Sequence, residues 1–211
     1  MKQDYTEIAI VLDRSGSMAS IKTDTIGGFN EFLKTQQAVP GEARLSLIQF
    51  DHEYERVYIG LPIQDAKPLD ETSFVPRGQT ALLDAIGITI VELGQRLAAM
   101  PEAERPGKVV FVILSDGYEN HSKEYSKQKI LELIKQQSEV YKWEFVYLGA
   151  NQDAIAEAGQ LGIVAANALT FVADSERTRH AFAATAKNVA SYRTGAKASA
   201  GYDQEDRDKQ T

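Results

Sequence analysis

The chain has 211 residues, of which 43% are hydrophobic and 25% charged, and it contains no cysteine. These values are typical of one globular domain that can bury a sizeable core, and the lack of cysteine excludes disulfides, zinc–thiolate sites, iron–sulfur clusters and a cysteine nucleophile. The formal net charge of −7 argues against a general nucleic-acid-binding protein, because such proteins need a basic surface.

The first half of the chain begins with a strand and a helix. Ile8–Leu12 is a short, β-branched apolar run, which is typical of a strand buried on both faces of a parallel sheet. Apolar residues at helical spacing then predict a helix over Ile21–Gln37. In Arg44–Ile63 the polar Asp51–Glu53 separates two strand-like runs, which predicts a hairpin and hence one strand antiparallel to the others.

The second half continues the alternation of helices and strands. A helical pattern over Thr80–Met100 precedes the apolar run Val109–Leu114, which resembles the first strand. The remaining predicted elements are Lys127–Tyr141 (helix), Phe145–Leu148 (strand), Asp153–Gln160 (helix), Leu169–Val172 (strand) and Ser175–Tyr192 (helix, capped by Asp174 or Ser175). Alternation on this scale predicts an α/β fold with a mostly parallel sheet.

The last 17 residues differ in composition from the rest. Residues 195–211, GAKASAGYDQEDRDKQT, contain no Ile, Leu, Val or Phe, and four acids are interspersed with three bases. Such a segment has little apolar surface to bury, so we expect a disordered, polar C-terminal tail after a folded domain over residues 1–194.

Both strong strands end in a carboxylate. Asp13 follows the first apolar run, and Asp116 follows Val109–Leu114 after one serine. Ligands of open parallel sheets bind at the carboxyl ends of the strands, so both carboxylates are expected at one crevice. Like charges at one site repel, and the usual remedies are a shared proton or a bound cation.

Hydroxyl groups nearby favour the cation. Ser15 and Ser17 flank Gly16 in the segment Asp13-Arg14-Ser15-Gly16-Ser17, and Thr80 follows the Gly78 loop. Carboxylate and hydroxyl oxygens without soft ligands suit Mg²⁺, or Mn²⁺ in its place. A simpler interpretation remains open for each segment, because Asp13 and Ser15 could cap the first helix and Thr80 the second.

Three segments resemble the von Willebrand factor type A (vWA) domain: Asp13–Met18, Gly78–Leu82 and Leu114–Gly117. The resemblance covers about Thr6 to Tyr192 and implies a doubly wound, mostly parallel sheet with one antiparallel edge strand and helices on both faces. In that family the three segments form a metal-ion-dependent adhesion site. The only departure is Ser115, where threonine is common.

The resemblance also implies a role for each of the five site residues. Ser15 and Ser17 would bind Mg²⁺ through their hydroxyls, Thr80 or Asp116 would bind directly or through water, and Asp13 would act mostly through water. The implied function is that of a Mg²⁺-dependent protein-interaction module, not an enzyme, whose partner presents an Asp or Glu to the ion. Similar intracellular bacterial domains work with chaperone-like ATPases or in stress-response systems.

The alternative is a metal-dependent phosphatase or hydrolase with Asp13 as nucleophile. A haloacid-dehalogenase-like enzyme would need a second Asp at the position of Ser15, and no phosphate-binding G-x-x-x-x-G-K-[ST] loop is present. The N-terminal sequence lacks the apolar core of a signal peptide, and the longest apolar runs are far shorter than a membrane helix. These features predict a cytoplasmic protein that binds neither nucleic acid nor membranes.

Residues near the site have two interpretations. The segment Tyr118–His121 follows Asp116 and either contacts a partner or is a solvated loop. Asp84 lies one helical turn after Thr80, where it either supports the metal site or simply benefits from the helix dipole.

Overall fold

A computed structural model describes residues 1–210 and contains a six-stranded sheet with helices on both faces. The strands are β1 (Lys2–Asp13), β2 (Glu42–Phe50), β3 (Tyr54–Pro62), β4 (Pro106–Ser115), β5 (Glu144–Ala150) and β6 (Ala168–Phe171). The helices are α1 (Lys22–Ala38), α2 (Leu82–Ala98), α3 (Lys127–Glu139), α4 (Ala154–Gln160), α5 (Ser175–Thr194) and α6 (Gln204–Asp208). Thr211 lies outside the described residues.

The strand order is β3-β2-β1-β4-β5-β6. β1 pairs in parallel with β2 and β4, β5 pairs in parallel with β4 and β6, and only β3 is antiparallel, at the edge beside β2. The predicted doubly wound sheet with one antiparallel edge strand is therefore confirmed. The chain order reverses between β1 and β4, and this is where such sheets bind ligands.

The sheet separates two hydrophobic cores, which explains the continuous apolar run in β1. Ile8, Ile10 and Leu12 lie in one core, together with side chains of α1 and α5. Ala9 and Val11 lie in the other, with side chains of α2, α3 and α4. Because successive residues of a strand point to opposite faces, a strand covered on both faces needs apolar residues at every position.

The helix starts differ from the simple capping interpretation. A 3-10 turn over Gly16–Ile21 precedes α1, and neither α1 nor α2 has a side-chain cap. Asp13, Ser15 and Thr80 are thus not used as N-caps of these helices. The predicted cap of α5 is confirmed as Asp174, whose carboxylate accepts a hydrogen bond from the Arg177 amide.

The packing of α1 against α5 predicts opposite effects at two neighbouring glycines. A Cβ on Gly28 would overlap the Phe182 ring, whereas a Cβ on Gly27 would meet no atom within 4 Å. We expect Gly28→Ala to lower the free energy of unfolding by about 1–3 kcal/mol through overpacking. Gly27→Ala should raise it by roughly 0.5–1 kcal/mol because alanine favours the helix.

Chemical denaturation of both variants measures this difference. The Gly27→Ala variant is the control for the general effect of a methyl group in α1. A Gly28→Ala protein as stable as the Gly27→Ala protein would contradict the close packing of α1 on α5.

The expected disorder of residues 195–211 is wrong for residues 195–210, which pack against the domain. Tyr202 is 7% exposed, and its hydroxyl lies 2.8 Å from Thr185 Oγ1. Asn188 Nδ2 donates to Asp206 Oδ2 at 2.8 Å, and Arg207 donates to the main-chain oxygen of Ala168. One aromatic side chain and a set of polar contacts hold the segment on the domain. The lack of large aliphatic residues therefore did not prevent it from packing.

In the part of the chain that the structure describes, no helix is both long and apolar enough to cross a lipid bilayer.

Candidate metal centre

Two loops meet at the carboxyl ends of β1 and β4. The Ser15 and Ser17 hydroxyl oxygens lie 3.1 Å apart, and the Ser17 hydroxyl donates to Asp116 Oδ1 at 2.6 Å. Ser15 is buried and Ser17 is exposed. The structure thus brings these three predicted site residues into one hydrogen-bonded chain that ends at the surface.

Asp13 lies beneath this chain and is fully buried. Its Oδ1 accepts a hydrogen bond from the Ser15 amide at 2.7 Å, and its Oδ2 accepts one from the Ser115 hydroxyl at 2.6 Å. Ser115 supplies the hydroxyl that a threonine would supply, so the substitution noted in the sequence preserves this contact. Asp13 is therefore placed to orient the Ser15–Ser17 segment from the interior of the protein.

Thr80 approaches the same place from the loop before α2. A Cβ built on Gly117 would lie 3.2 Å from Thr80 Oγ1 and 3.5 Å from Ser17 Oγ. A side chain at position 117 would therefore crowd the two hydroxyls. All five predicted site residues, Asp13, Ser15, Ser17, Thr80 and Asp116, meet at this edge of the sheet.

The two carboxylates lack a basic partner within the described residues, where no ion pair involves Asp13 or Asp116. Burial raises the pKa of Asp13 to about 6, even though the hydrogen bonds from Ser115 and Ser15 lower it. Burial also raises the pKa of Asp116, against the hydrogen bond from Ser17. Both shifts reflect carboxylates that lack compensating positive charge.

A hard divalent cation fits this set of groups. Two carboxylates and three hydroxyls offer only oxygen, which Mg²⁺ and Mn²⁺ prefer. Residues 1–210 contain no cluster of three or more His, Cys, Asp or Glu that could hold a metal ion. A metal at this edge would therefore depend on serine and threonine hydroxyls.

The residues after Asp116 hold the Thr80 loop in place. Asn120 Oδ1 accepts from the Thr80 amide at 3.0 Å, while the Asn120 and His121 amides donate to the Thr80 oxygen. Glu119 accepts from the Leu83 amide at 2.9 Å. Glu119 and Asn120 thus have structural contacts through their side-chain oxygens, although Asn120 is exposed, and Tyr118 is 63% exposed.

Asp84 has a comparable structural role. Its carboxylate accepts hydrogen bonds from three consecutive amides, those of Lys123, Glu124 and Tyr125, at 2.8–2.9 Å. Asp84 therefore fixes the loop between β4 and α3 to α2. It supports the candidate site by holding the main chain of this loop.

The sequence analysis missed the residues that connect the Ser15–Ser17 segment with the loop before Thr80 on the side of β2. Asp51 was predicted only as part of a polar break in the hairpin, yet it is fully buried and bonded to Arg14 and Arg77. The available signal was one arginine in each of the two hydroxyl-bearing loops: Arg14 after Asp13, and Arg77 before Gly78.

Comparison with known proteins shows the fold. No protein family profile and no curated protein sequence matches the chain. One similar solved structure is proximal thread matrix protein 1 from the mussel byssus with a zinc-occupied metal-ion-dependent adhesion site, at 15% identity and a TM-score of 0.60, covering 88% of this chain and 46% of that chain. A second is a von Willebrand factor type A protein from Catenulispora acidiphila, at 15% identity and a TM-score of 0.57, covering 91% of this chain and 43% of that chain. A third is the vWF domain of the pilus tip protein Mfa5 from Porphyromonas gingivalis, at 10% identity and a TM-score of 0.58, covering 87% of this chain and 94% of that chain. The chain has the fold of a vWA domain, and it spans just under half the length of the first two proteins.

Proposed function

We propose that this protein is a Mg²⁺-dependent protein-interaction module, with Mn²⁺ as an alternative ion. The Ser15 and Ser17 hydroxyls would hold the ion, Thr80 and Asp116 would bind it directly or through water, and Asp13 would act mostly through water. The observation that carries the proposal is the meeting of two carboxylates, which lack a basic partner, with three hydroxyls at the switch point of the sheet.

A partner would bind by completing the coordination of the ion. Mg²⁺ keeps several waters in protein sites, and an Asp or Glu of a partner can replace one of them. The chain carries a net charge of −7, so the ion would supply the local positive charge that attracts an acidic side chain. The sequence resemblance alone suggests an intracellular bacterial setting and a partner such as a chaperone-like ATPase or a stress-response component.

The enzymatic alternative, with Asp13 as nucleophile, receives less support. Asp13 is fully buried, and both of its carboxylate oxygens accept hydrogen bonds from the protein. A nucleophile has to reach the reacting atom of a substrate, and Asp13 lies below Ser15 and Ser17. The arrangement supports an orienting role better than an attacking one.

Mg²⁺ is expected to stabilise the folded protein. If Kd is about 1 mM, then ~10 mM Mg²⁺ adds roughly 1.4 kcal/mol, and Tm rises by about 3–5 °C for a domain of this size. Thermal unfolding with Mg²⁺ and with EDTA measures the shift. Asp116→Ala should abolish it, and an Asp116→Ala protein that keeps the full shift would place the ion elsewhere.

Affinity capture from the native host tests the interaction. Partner binding should be lost in EDTA, return with Mg²⁺ or Mn²⁺, and be absent in the Thr80→Ala variant. Thr194→Ala is the matched control, because Thr194 is an exposed threonine at the end of α5. The last residues of α5 contact Lys108 near the start of β4, at the opposite end of the sheet from the candidate site. Capture that is equal in EDTA and Mg²⁺, and equal in both variants, would reject the proposed function.

A further inference from the structure

A buried carboxylate connects the two hydroxyl-bearing loops from the side of β2. Asp51 directly follows β2 and is fully buried. Its Oδ2 accepts hydrogen bonds from Arg14 Nε at 2.9 Å and from Arg77 Nε at 2.8 Å. Its Oδ1 accepts one from the Glu53 amide at 2.7 Å and lies 3.1 Å from His52 Nδ1. These contacts occupy both oxygens, so Asp51 is not available as a metal ligand.

Both arginines belong to the loops that carry the hydroxyls. Arg14 stands between Asp13 and Ser15, and Arg77 is three residues before Thr80. A single carboxylate oxygen therefore binds the two loops together. Hydrogen bonds from guanidinium groups to a carboxylate are charge-assisted and stronger than neutral ones.

Main-chain hydrogen bonds connect the same loops. The Arg77 amide donates to the Arg14 oxygen at 2.8 Å, and the Gly16 amide donates to the Gly78 oxygen at 3.2 Å. The Ala81 amide donates to the main-chain oxygen of Asp51 at 2.9 Å. The side chain and the main chain of Asp51 thus hold both sides of the Thr80 loop.

The imidazole next to Asp51 restricts the loop further. Gly78 has a backbone φ of +67°, which residues other than glycine rarely adopt. A Cβ at this position would also overlap the His52 ring. The close approach of this loop to the residue that follows Asp51 therefore requires glycine at position 78.

We propose that Asp51 is a positioning residue that sets the spacing between the serine hydroxyls and Thr80, and thereby the affinity of the site for Mg²⁺. This inference rests on the proposed function, since it requires that the ion binds there. An asparagine at position 51 carries no charge, so the hydrogen bonds from the two arginines would lose their charge-assisted strength. Its single oxygen also cannot accept from the arginines and from the Glu53 amide in the positions that the two carboxylate oxygens occupy. The two loops would then be held together less firmly, and the hydroxyls would lose their fixed spacing.

Mg²⁺ titration of the Asp51→Asn variant tests the inference. Groups that orient metal ligands typically change metal affinity by about 10- to 100-fold, so we expect Kd to rise about 10-fold. The matched control is Glu53→Gln, which removes an exposed carboxylate that is also bonded to Arg77 but leaves the Asp51 contacts intact. Its Kd should stay within about twofold of the wild-type value.

A second variant covers the case in which Asp51→Asn fails to fold. Arg77 is half-exposed, so Arg77→Ala removes one of the two loop contacts with little loss of buried packing. We expect it to raise the Kd for Mg²⁺ several-fold. The Tm in EDTA serves as the second readout, because a merely structural role would lower Tm and leave Kd unchanged.

The outcomes separate this inference from the proposed function. If the wild-type protein binds Mg²⁺ and both the Asp51→Asn and the Arg77→Ala variants bind it equally well, Asp51 is a structural residue only and the inference is overturned. If the wild-type protein shows no saturable Mg²⁺ binding, the proposed function fails and this inference fails with it. Weaker binding by the variants, with the Glu53→Gln control unchanged, supports both.

Discussion

Replacing Asp13 by Asn is expected to raise the free energy of unfolding of the metal-free protein by about 2–3 kcal/mol at neutral pH. The pKa of Asp13 is raised from 3.8 to about 6 in the folded protein, mainly because the carboxyl group is buried. An amide at position 13 carries no charge to bury. It still accepts from the Ser15 amide, and the Ser115 hydroxyl can donate to the Gly117 oxygen, 3.0 Å away, while it accepts from the new amide group.

The same shift predicts the sign of the pH dependence. Between about pH 4 and pH 6 the folded protein holds a proton on Asp13 that the unfolded chain has lost. The contribution of Asp13 to the wild-type stability in EDTA should therefore fall as pH rises through this range, and it should be constant above it. The Asp13→Asn variant should lack this decrease and should also lose Mg²⁺-dependent stabilisation.

Urea unfolding in EDTA from pH 4 to pH 8 measures both effects. Asp4→Asn is the control, because Asp4 is an exposed aspartate of the same strand, and its stability curve should follow that of the wild-type protein. An Asp13→Asn protein that is less stable than the wild type at neutral pH would show that the buried carboxylate is compensated within the metal-free fold.

Replacing Tyr202 by Ala is expected to lower the free energy of unfolding by about 3–5 kcal/mol, which is the usual cost of removing a buried aromatic side chain. Tyr202 is 7% exposed and bonded through its hydroxyl to Thr185 in α5. Its amide donates to the Ala166 oxygen at 2.9 Å. Removing the ring would leave a cavity between the C-terminal segment and the domain.

Two further variants define the origin of the effect. Tyr202→Phe keeps the ring and loses the hydroxyl contact, so it should cost about 1 kcal/mol. Tyr141→Ala removes a tyrosine that is 57% exposed, and the stability should change little. Chemical denaturation compares all three, and a Tyr202→Ala protein as stable as the Tyr141→Ala protein would contradict the packing of residues 195–210.

The sheet and the site could be predicted from the sequence for physical reasons. Strands buried on both faces need continuous apolar runs, so Ile8–Leu12 and Val109–Leu114 could be predicted as central strands from the sequence alone. The carboxyl ends of parallel strands meet at one edge, so residues after two strands could be placed together. The hydroxyls of Ser15 and Ser17 then favoured a hard cation as the predicted ligand.

The missed features depend on long-range polar contacts that leave no periodic pattern. Asp51 is buried because Arg14 and Arg77 pair with it, and only the fold brings the three residues together. The C-terminal segment binds the domain through Tyr202 and polar groups, so its composition resembled that of a disordered tail. β1 begins at Lys2 in a polar segment, because Lys2 pairs with Pro106 at the start of β4, whereas pairing with β2 begins at Tyr5.

Mg²⁺ titration by calorimetry on two serine variants tests the central claim, which is that hydroxyls of the loop after β1 hold the ion. The Ser17 hydroxyl donates to Asp116, whereas the Ser20 hydroxyl, in the same 3-10 turn, donates only to the Ser17 main-chain oxygen. We expect saturable binding for the wild-type and Ser20→Ala proteins and its loss in Ser17→Ala. Equal binding by all three proteins, or no binding by the wild-type protein, would contradict this claim.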